Sequence, residues 1–168
     1  METTTASVNS ALQRAHATLE KADLSADDMT AQEPTPEQKA MLDRYVQAFW
    51  DKDIAAIVSM LTKDAVWEMP PYTGWYQGNE NIGRLIDTQC PGGRNEMRML
   101  PTRANGQPAF GLYMRHDGGD YLPFHLQVLT LGDDGVEHVT AFFDGALFSK
   151  FGLPDRLPAD GAPAPATA

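Results

Sequence analysis

Cysteine, basic charge and long apolar runs are all scarce in this chain of 168 residues, and each scarcity excludes a class of protein. Cys90 is the only cysteine, so no intrachain disulfide can form, and the adjoining Pro91 and Gly92 provide no base or cation that would activate the thiol. No stretch reaches the roughly 18 consecutive apolar residues of a membrane-spanning helix, and the beginning of the chain is too polar for a signal sequence. We therefore predict a soluble, cytoplasmic protein that does not associate with membranes.

Basic residues are outnumbered by acidic ones. The chain carries 13 Lys and Arg against 23 Asp and Glu, which gives a net charge of −10. An anionic surface repels the phosphate backbone of nucleic acids unless basic side chains are concentrated locally, so the chain alone is expected to bind DNA poorly. Its length and its 42% apolar fraction suit one packed domain with short appendages.

The signatures of metal binding and of common catalytic sites are also missing. The four histidines lack the close spacing of a metal site, and the cysteine is near none of them in sequence: His16, His116, His125 and His138. No GxSxG, P-loop or GxGxxG motif occurs, which argues against nucleophilic-serine and nucleotide-driven chemistry. We predict neither a metal nor a cofactor.

The first segment with a regular pattern is SVNSALQRAHATLE, residues 7–20. Its apolar residues recur at helical spacing and form one stripe: Val8, Leu12, Ala15 and Leu19. The other faces carry side chains of the kinds that contact base edges and phosphates in DNA: Asn9, Ser10, Gln13 and Arg14. Residues 21–35 then show no sustained periodicity and are predicted to form a linker.

A second helix has a clear start. Thr35, Pro36 and Gln38 combine an N-cap, a proline at the first helical position and a capping box. The helix carries a wide apolar stripe that needs a large partner surface, most simply a sheet: Leu42, Tyr45, Val46, Phe49 and Trp50. Asp53 can cap a short third helix, IAAIVSML.

The rest of the chain reads as strands with two further helices. DAVWEM and WYQG are predicted strands, and Asn79 is predicted to cap the helix ENIGRLIDTQ. Four strands separated by turns follow as an antiparallel meander, then the helix GALFSKF and a disordered tail over residues 158–168. The predicted strands are Arg94–Arg103, Gln107–His116, Pro123–Leu131 and Val136–Phe143. This order predicts an α+β fold in which a curved sheet wraps the long helix and leaves a cone-shaped cavity.

Two segments of the sequence resemble known protein families. The element order, with DAVWEMPPYTGWYQGNENI and VEHVTAFFDGALFSKFGLP, resembles the SnoaL-like branch of the nuclear-transport-factor-like superfamily over about residues 36–157. TTTASVNSALQRAHATLE resembles the recognition helix of region four in extracytoplasmic-function sigma factors. A region-four helix, a linker and a SnoaL-like domain in this order are similar to the C-terminal organisation of sigma factors of the sigma-G type.

The resemblance implies that residues 36–157 regulate promoter-directed transcription by contacting the sigma factor core or RNA polymerase. Region two and the first helix of region four do not occur in the sequence, and His16 stands where such helices often carry arginine. We therefore expect residues 1–20 to be a remnant that does not bind DNA alone, and whose apolar stripe frays or docks on another surface, such as a second copy in a homodimer. The chain reads either as a fragment or as a gene product whose start lies within a longer reading frame.

Enzymes of the resembling superfamily move a proton with a cavity Asp or His assisted by Tyr or Trp. The candidates here are Asp144, His125, Tyr45 and Tyr113. Asp144 is better explained as a helix cap, Tyr45 as core, and His125 equally well as a structural or a functional residue. An isomerase, cyclase or dehydratase using Asp144 or His125 is therefore the alternative to the regulatory domain.

An aromatic and proline cluster lies between residues 67 and 76. It reads equally well as a packed plug of the cone and as the rim of an apolar ligand pocket, which would make the domain a ligand sensor. The residues predicted for a pocket holding an apolar small molecule are Tyr45, Trp67, Met69, Tyr72, Trp75, Tyr113, His125 and Phe142.

Overall fold

The computed structural model describes residues 8, 10–14, 33–117 and 119–159. The chain divides into two compact units, Met1–Gln32 and Glu33–Ala168. In the first unit, Val8 and residues 10–14 are helical, as the sequence predicts, and Val8 and Leu12 of the apolar stripe are exposed. Asn9, Ala15, Leu19 and most of the predicted linker fall outside the described residues. None of the helices in the described part of the chain has the length and apolar character needed to cross a bilayer.

The second unit begins with two helices whose starts follow the predicted caps. Helix α1 spans Pro36–Asp51 and α2 spans Ile54–Met60. The capping box is confirmed, since Thr35 Oγ1 accepts from the amide of Gln38 and Gln38 Oε1 accepts from the amide of Thr35. The amide of Ala56 donates to the side chain of Asp53, which caps α2 as predicted.

Six strands form one sheet. They are β1 (Leu61–Glu68), β2 (Trp75–Gln77), β3 (Met97–Ala104), β4 (Gln107–Arg115), β5 (Tyr121–Leu131) and β6 (Val136–Phe142). Their order across the sheet is β2-β1-β6-β5-β4-β3. The predicted antiparallel meander from β3 to β6 is confirmed, whereas the parallel pairing of β1 with β6 follows from no sequence pattern.

The described residues of the second unit also form two further helices, α3 (Asn79–Gln89) and α4 (Ala146–Lys150). The prediction that Asn79 is the N-cap of α3 is wrong. Gly78 holds that position, because its φ of 90° gives the chain a sharp entry that a residue with a side chain rarely adopts. Asn79 is the first helical residue, and its side chain accepts from the amide of Glu80.

The two faces of the sheet pack against different layers. Helices α1, α2 and α3 contribute to the main core together with inward side chains such as Met99, Leu112, Val139 and Trp67. A smaller cluster on the opposite face contains Tyr113, Tyr121, Leu126, Phe148 and Leu153. The predicted α+β architecture with a curved sheet around a long helix is therefore confirmed, with the addition that its outer face is also covered.

The segment that covers the outer face is the C-terminal strap, residues 151–159. Backbone bonds in both directions join Leu157 to Tyr121, and the hydroxyl of Tyr113 donates to the carbonyl of Pro154. Arg98 is buried beneath the strap, where its guanidinium donates to the carbonyls of Pro158 and Ala159 and lies 4.2 Å from the ring centre of Tyr121. Pro158 and Ala159, the first two residues of the predicted tail, thus have carbonyls that accept hydrogen bonds from Arg98.

Substituting Arg98 by methionine is expected to loosen the strap. The change removes two hydrogen bonds to carbonyls and the cation–π contacts with Trp50 and Tyr121 while retaining an apolar stem, so we expect a loss of roughly 1–2 kcal/mol in the free energy of unfolding. The amides of Tyr121 and Leu157 should exchange with deuterium faster than in the unmodified chain. Arg115→Met, at an exposed position of β4, is the control. Unchanged exchange at both amides would contradict the role of Arg98.

Candidate functional site

A small apolar cavity lies at one end of the sheet, beside α3. Its volume is about 100 Å³. Its walls come from α1, from α3 and the turn after it, and from residues at or near the ends of β1, β5 and β6. The lining residues are Phe49, Trp67, Met69, Leu85, Ile86, Gln89, Cys90, Pro91, Phe124, His125 and Phe143. Ligand pockets in proteins typically measure about 300–1,000 Å³, so this cavity suits a very small molecule or one end of a larger one.

An irregularity in β5 brings two consecutive side chains to this cavity. His125 pairs with Leu112 and Pro123 pairs with Tyr113, which leaves Phe124 as an extra residue without a partner. Such a β-bulge redirects a side chain and bends the strand. Phe124 and His125 consequently both line the cavity, and their rings lie 5.2 Å and 4.9 Å from that of Phe143. Simple alternation along the strand would place only one of them there.

A chain of polar side chains runs from the cavity into the core. The hydroxyl of Tyr45 donates to Oε1 of Gln127 over 2.9 Å, and Nε2 of Gln127 lies 2.8 Å from Nε2 of His125. All three side chains are buried. Among the described residues, Nδ1 of His125 is buried without a hydrogen-bond partner. The polar chain therefore ends at an unsatisfied ring nitrogen of a cavity residue.

Burial keeps the titratable groups at this site uncharged. It lowers the pKa of His125 to about 3, so the ring is neutral at physiological pH. Burial raises the pKa of Tyr45, with the nearby Cys90 as a smaller cause. Burial also raises the pKa of Cys90, an effect that the nearby Lys52 partly offsets. A cation thus does lie near Cys90, contrary to the sequence prediction, but the thiol remains a poor nucleophile.

Lys52 has a structural task beside the cavity. Its ammonium group donates to the carbonyls of Ile86 and Cys90, at 3.1 and 2.9 Å, at the end of α3. Carbonyls at a helix C-terminus lack partners within the helix and carry partial negative charge. Lys52 satisfies two of these carbonyls and connects the end of α1 to the end of α3.

Some of the predicted pocket residues meet at the cavity. Trp67, Met69 and His125 line it directly, and Tyr45 is connected to it through Gln127. Tyr72 is largely exposed and touches the ring of Phe143 edge-on, with 5.9 Å between the ring centres. The aromatic and proline cluster thus contributes both a plug, through Trp67, and a rim, through Tyr72.

The other predicted residues lie elsewhere. Tyr113 and Phe142 pack with the cluster on the opposite face of the sheet, so their assignment to the pocket has to be corrected. Trp75 is exposed and borders a different, more polar depression of about 340 Å³ beside α3. Asp144 is exposed as well, and its side chain accepts from the amide of Ala146, the first residue of α4. Gly145, and not Asp144, is the N-cap of that helix, and it makes no side-chain cap bond.

Sequence reasoning missed Gln127, Phe124, Phe143 and Cys90. Gln127 left a usable signal, because PFHLQVLTL places two polar residues at positions 125 and 127, on the same face of a strand that is otherwise apolar. Phe143 follows Val139 and Ala141 at two-residue spacing and therefore shares their inward face. Within the described ranges, no group of three or more His, Cys, Asp or Glu side chains is placed to hold a metal ion.

The comparisons with known proteins agree with both resemblances. Over 156 residues, 92% of its length, the chain is 49% identical to the ECF RNA polymerase sigma factor SigG of Mycobacterium tuberculosis strain CDC 1551 / Oshkosh. SigG of strain ATCC 25618 / H37Rv matches equally well. The chain spans 42% of the length of these relatives. No protein-family model matches the sequence.

Among solved structures, an NTF-2 like protein of unknown function from Burkholderia xenovorans LB400 has a similar fold. The TM-score is 0.53 at 20% sequence identity, and the aligned part covers 64% of this chain and 84% of that protein. This likeness concerns the fold alone. The chain is therefore homologous, over its matched residues, to extracytoplasmic-function sigma factors of the SigG type, and the fold of its second unit is nuclear-transport-factor-like.

Proposed function

We propose that residues 36–157 form a regulatory domain that adjusts transcription initiation by contacting the core of a sigma factor or RNA polymerase. The observation that carries this proposal is the 49% identity to SigG over 156 residues, 92% of the chain. A domain tethered to the sigma core acts at a high effective concentration, so a weak contact surface suffices for regulation.

The rim segment, residues 72–75, is the part of the domain best suited to such a contact. Tyr72 and Trp75 are 64% and 60% exposed, and they are the two large aromatic side chains with the greatest exposure among the described residues. Exposed aromatic side chains are enriched at protein interfaces because they bury much apolar area at a low entropic cost. The rest of the acidic surface serves solubility in this proposal.

Transcription in vitro tests the regulatory role. In a full-length sigma factor of the SigG type that carries this domain, removing residues 36–157 is expected to change promoter output or polymerase affinity by about fivefold or more, the usual range of coupling between sites. Tyr72→Ser combined with Trp75→Ser should reproduce part of the change, whereas Leu122→Ser, at another exposed apolar position, should not. Unchanged transcription after removal of the domain, at matched protein levels, would refute the proposal.

The geometry of the candidate acid–base residues favours regulation over catalysis. A histidine with a pKa of about 3 is almost never protonated near neutral pH and is a weak base, far from the pKa near the working pH that general acid–base catalysis favours. Asp144 lies outside the cavity, and its side chain accepts from the amide of Ala146. The cavity is also smaller than a polyketide-sized substrate requires.

Ligand sensing is a second function, compatible with the first. The supporting observation is a cavity of about 100 Å³ whose mostly apolar lining includes His125, a residue with a buried ring nitrogen that has no hydrogen-bond partner among the described residues. A ligand that binds one state of the sigma factor more tightly than another would shift the balance between them. In this proposal the first unit does not bind DNA by itself, since the net charge of −10 opposes contact with phosphates.

A further inference from the structure

The side chains of Tyr45, Gln127 and His125 form a buried polar chain at positions where apolar side chains would also fill the core. Tyr45 and Gln127 are fully buried and His125 is 3% exposed. Their surroundings in the core are apolar, including the ring of Phe110 beside Tyr45 and the ring of Phe143 beside His125. Polar groups are buried in such surroundings only with a compensating partner. The partners are therefore informative about what each atom donates or accepts.

The order of these hydrogen bonds determines which nitrogen of His125 carries the hydrogen. The hydroxyl of Tyr45 donates to Oε1 of Gln127. Turning the amide round would leave the hydroxyl hydrogen unpaired in the core, a costly arrangement. The amide nitrogen of Gln127 therefore faces Nε2 of His125 and donates to it. Since an accepting Nε2 bears no hydrogen, the neutral ring carries its hydrogen on Nδ1.

Nδ1 is thus a buried donor, and no acceptor for it occurs within the described part of the chain. His125 lines the cavity, where the other side chains are mostly apolar. The ring is neutral because burial lowers its pKa to about 3, so it offers one hydrogen-bond donor and no charge. Lys52, a cation close to the cavity residue Cys90, is occupied by the carbonyls of Ile86 and Cys90. The cavity therefore provides no counter-charge for an ionic ligand, whose burial would be unfavourable.

We infer that the cavity binds a small uncharged molecule, or the apolar end of a larger one, whose single acceptor oxygen is held by Nδ1–H of His125. A ketone, aldehyde or ether oxygen meets this requirement, whereas carboxylates and amines do not. The size follows from the volume, since a cavity of about 150 Å³ accommodates benzene and this one measures about 100 Å³. This inference rests on the proposed sensing function and names the chemical class of its ligand.

Gln127 is the positioning residue in this arrangement. By donating to Nε2 it holds the histidine ring in the tautomer that presents a hydrogen on Nδ1. An acceptor bound at Nδ1 would make Nε2 a stronger acceptor and so reinforce the bonds to Gln127 and Tyr45. Occupation of the cavity is in this way coupled to α1, the helix that carries Tyr45.

Two measurements on the full chain test the inference. Long-range proton–nitrogen NMR should show His125 with hydrogen on Nδ1 and not on Nε2. Titration with cyclobutanone and with methylenecyclobutane, which share ring and size but differ in the acceptor oxygen, should give affinities that differ by about three- to tenfold in favour of the ketone, the contribution of one hydrogen bond. Resonances of His125 and Phe143 should shift in both titrations.

His125→Phe is the matched variant, because it removes the donor and keeps a ring between Phe124 and Phe143. In this variant the preference for the ketone should fall to about one. If the variant does not fold, the tautomer and the two affinities of the unmodified chain still decide the matter. A hydrogen on Nε2, equal affinity for the two compounds, or no binding of either would overturn the inference.

Failure of this inference is distinguishable from failure of the regulatory proposal. If the chain binds the ketone more tightly than the hydrocarbon but the ketone does not change transcription, the sensing function is refuted and the ligand class is retained. Altered transcription on removal of the domain, combined with equal affinities, would retain regulation and refute the ligand class.

Discussion

Replacing Gln127 by leucine is expected to lower the free energy of unfolding by roughly 2–4 kcal/mol, because it leaves two buried polar groups without partners. The hydroxyl of Tyr45 loses its acceptor and Nε2 of His125 loses its donor, both in an apolar core. Leucine restores no hydrogen bond, and its branched side chain does not reproduce the shape of the amide. Urea denaturation followed by fluorescence should show a lower midpoint with an unchanged slope.

A glutamine at the surface provides the control for this prediction. Gln107 donates to the hydroxyl of Thr130, but the pair is solvent-exposed. Gln107→Leu should therefore change stability by less than about 0.5 kcal/mol. Tyr45→Phe leaves one group unpaired instead of two and should fall between the two variants. Equal stability of the chain and of Gln127→Leu would mean that the polar chain contributes nothing to folding.

The secondary structure could be predicted largely because its signals are local. The capping box at Thr35 and Gln38 determines where α1 begins, and the turns between the strands determine the meander. Strand ends were predicted less accurately, because pairing with other segments sets them. Strand β5 begins at Tyr121 and not at the predicted Pro123, since Leu122 and Tyr121 continue the pairing with β4, and Tyr121 also pairs with Leu157 of the strap.

The parallel pairing of β1 with β6 illustrates the same limit. Trp67 pairs with Val139, and more than half of the domain lies between them in sequence. Alternation predicts that β1 is a strand but says nothing about which strand it joins. Pairings between distant segments depend on how the whole sheet closes around α1, and a local pattern does not contain that information.

Alternation along the strands could suggest only part of the candidate site, and the reason is related. His125, Trp67 and Met69 line a cavity, whereas Tyr113 and Phe142, which were assigned to the same pocket, lie on the opposite face of the sheet. When only one face of a sheet is buried, alternation identifies it; here helices cover one face and the strap covers the other, so both faces carry apolar side chains. The bulge at Phe124 adds a further displacement of one residue, which alternation cannot reveal.

The stability of the chain is expected to decrease between pH 7 and pH 5 because His125 is buried in its neutral form. Its pKa is lowered to about 3 by burial, while an unfolded histidine titrates near 6.5. Between these values the unfolded state binds a proton that the folded state does not, so the free energy of unfolding falls as the pH falls. The slope below pH 6.5 is at most about 1.4 kcal/mol per pH unit, or about 2 kcal/mol by pH 5. Urea denaturation at several pH values measures it.

Other titratable groups are distinguished from His125 by the pH range in which they change charge or by a control variant. Burial raises the pKa of both Cys90 and Tyr45, so neither of these neighbours changes charge between pH 5 and pH 7. The pKa of the half-buried Asp51 is lowered, chiefly by its hydrogen bond from Gln47, and that carboxylate loses its stabilising effect only at lower pH. His116→Gln, at an exposed position, should retain the full pH dependence. His125→Phe should be less stable at pH 7 yet lose less stability on acidification, and parallel profiles for this variant and the unmodified chain would show that His125 is not the group responsible.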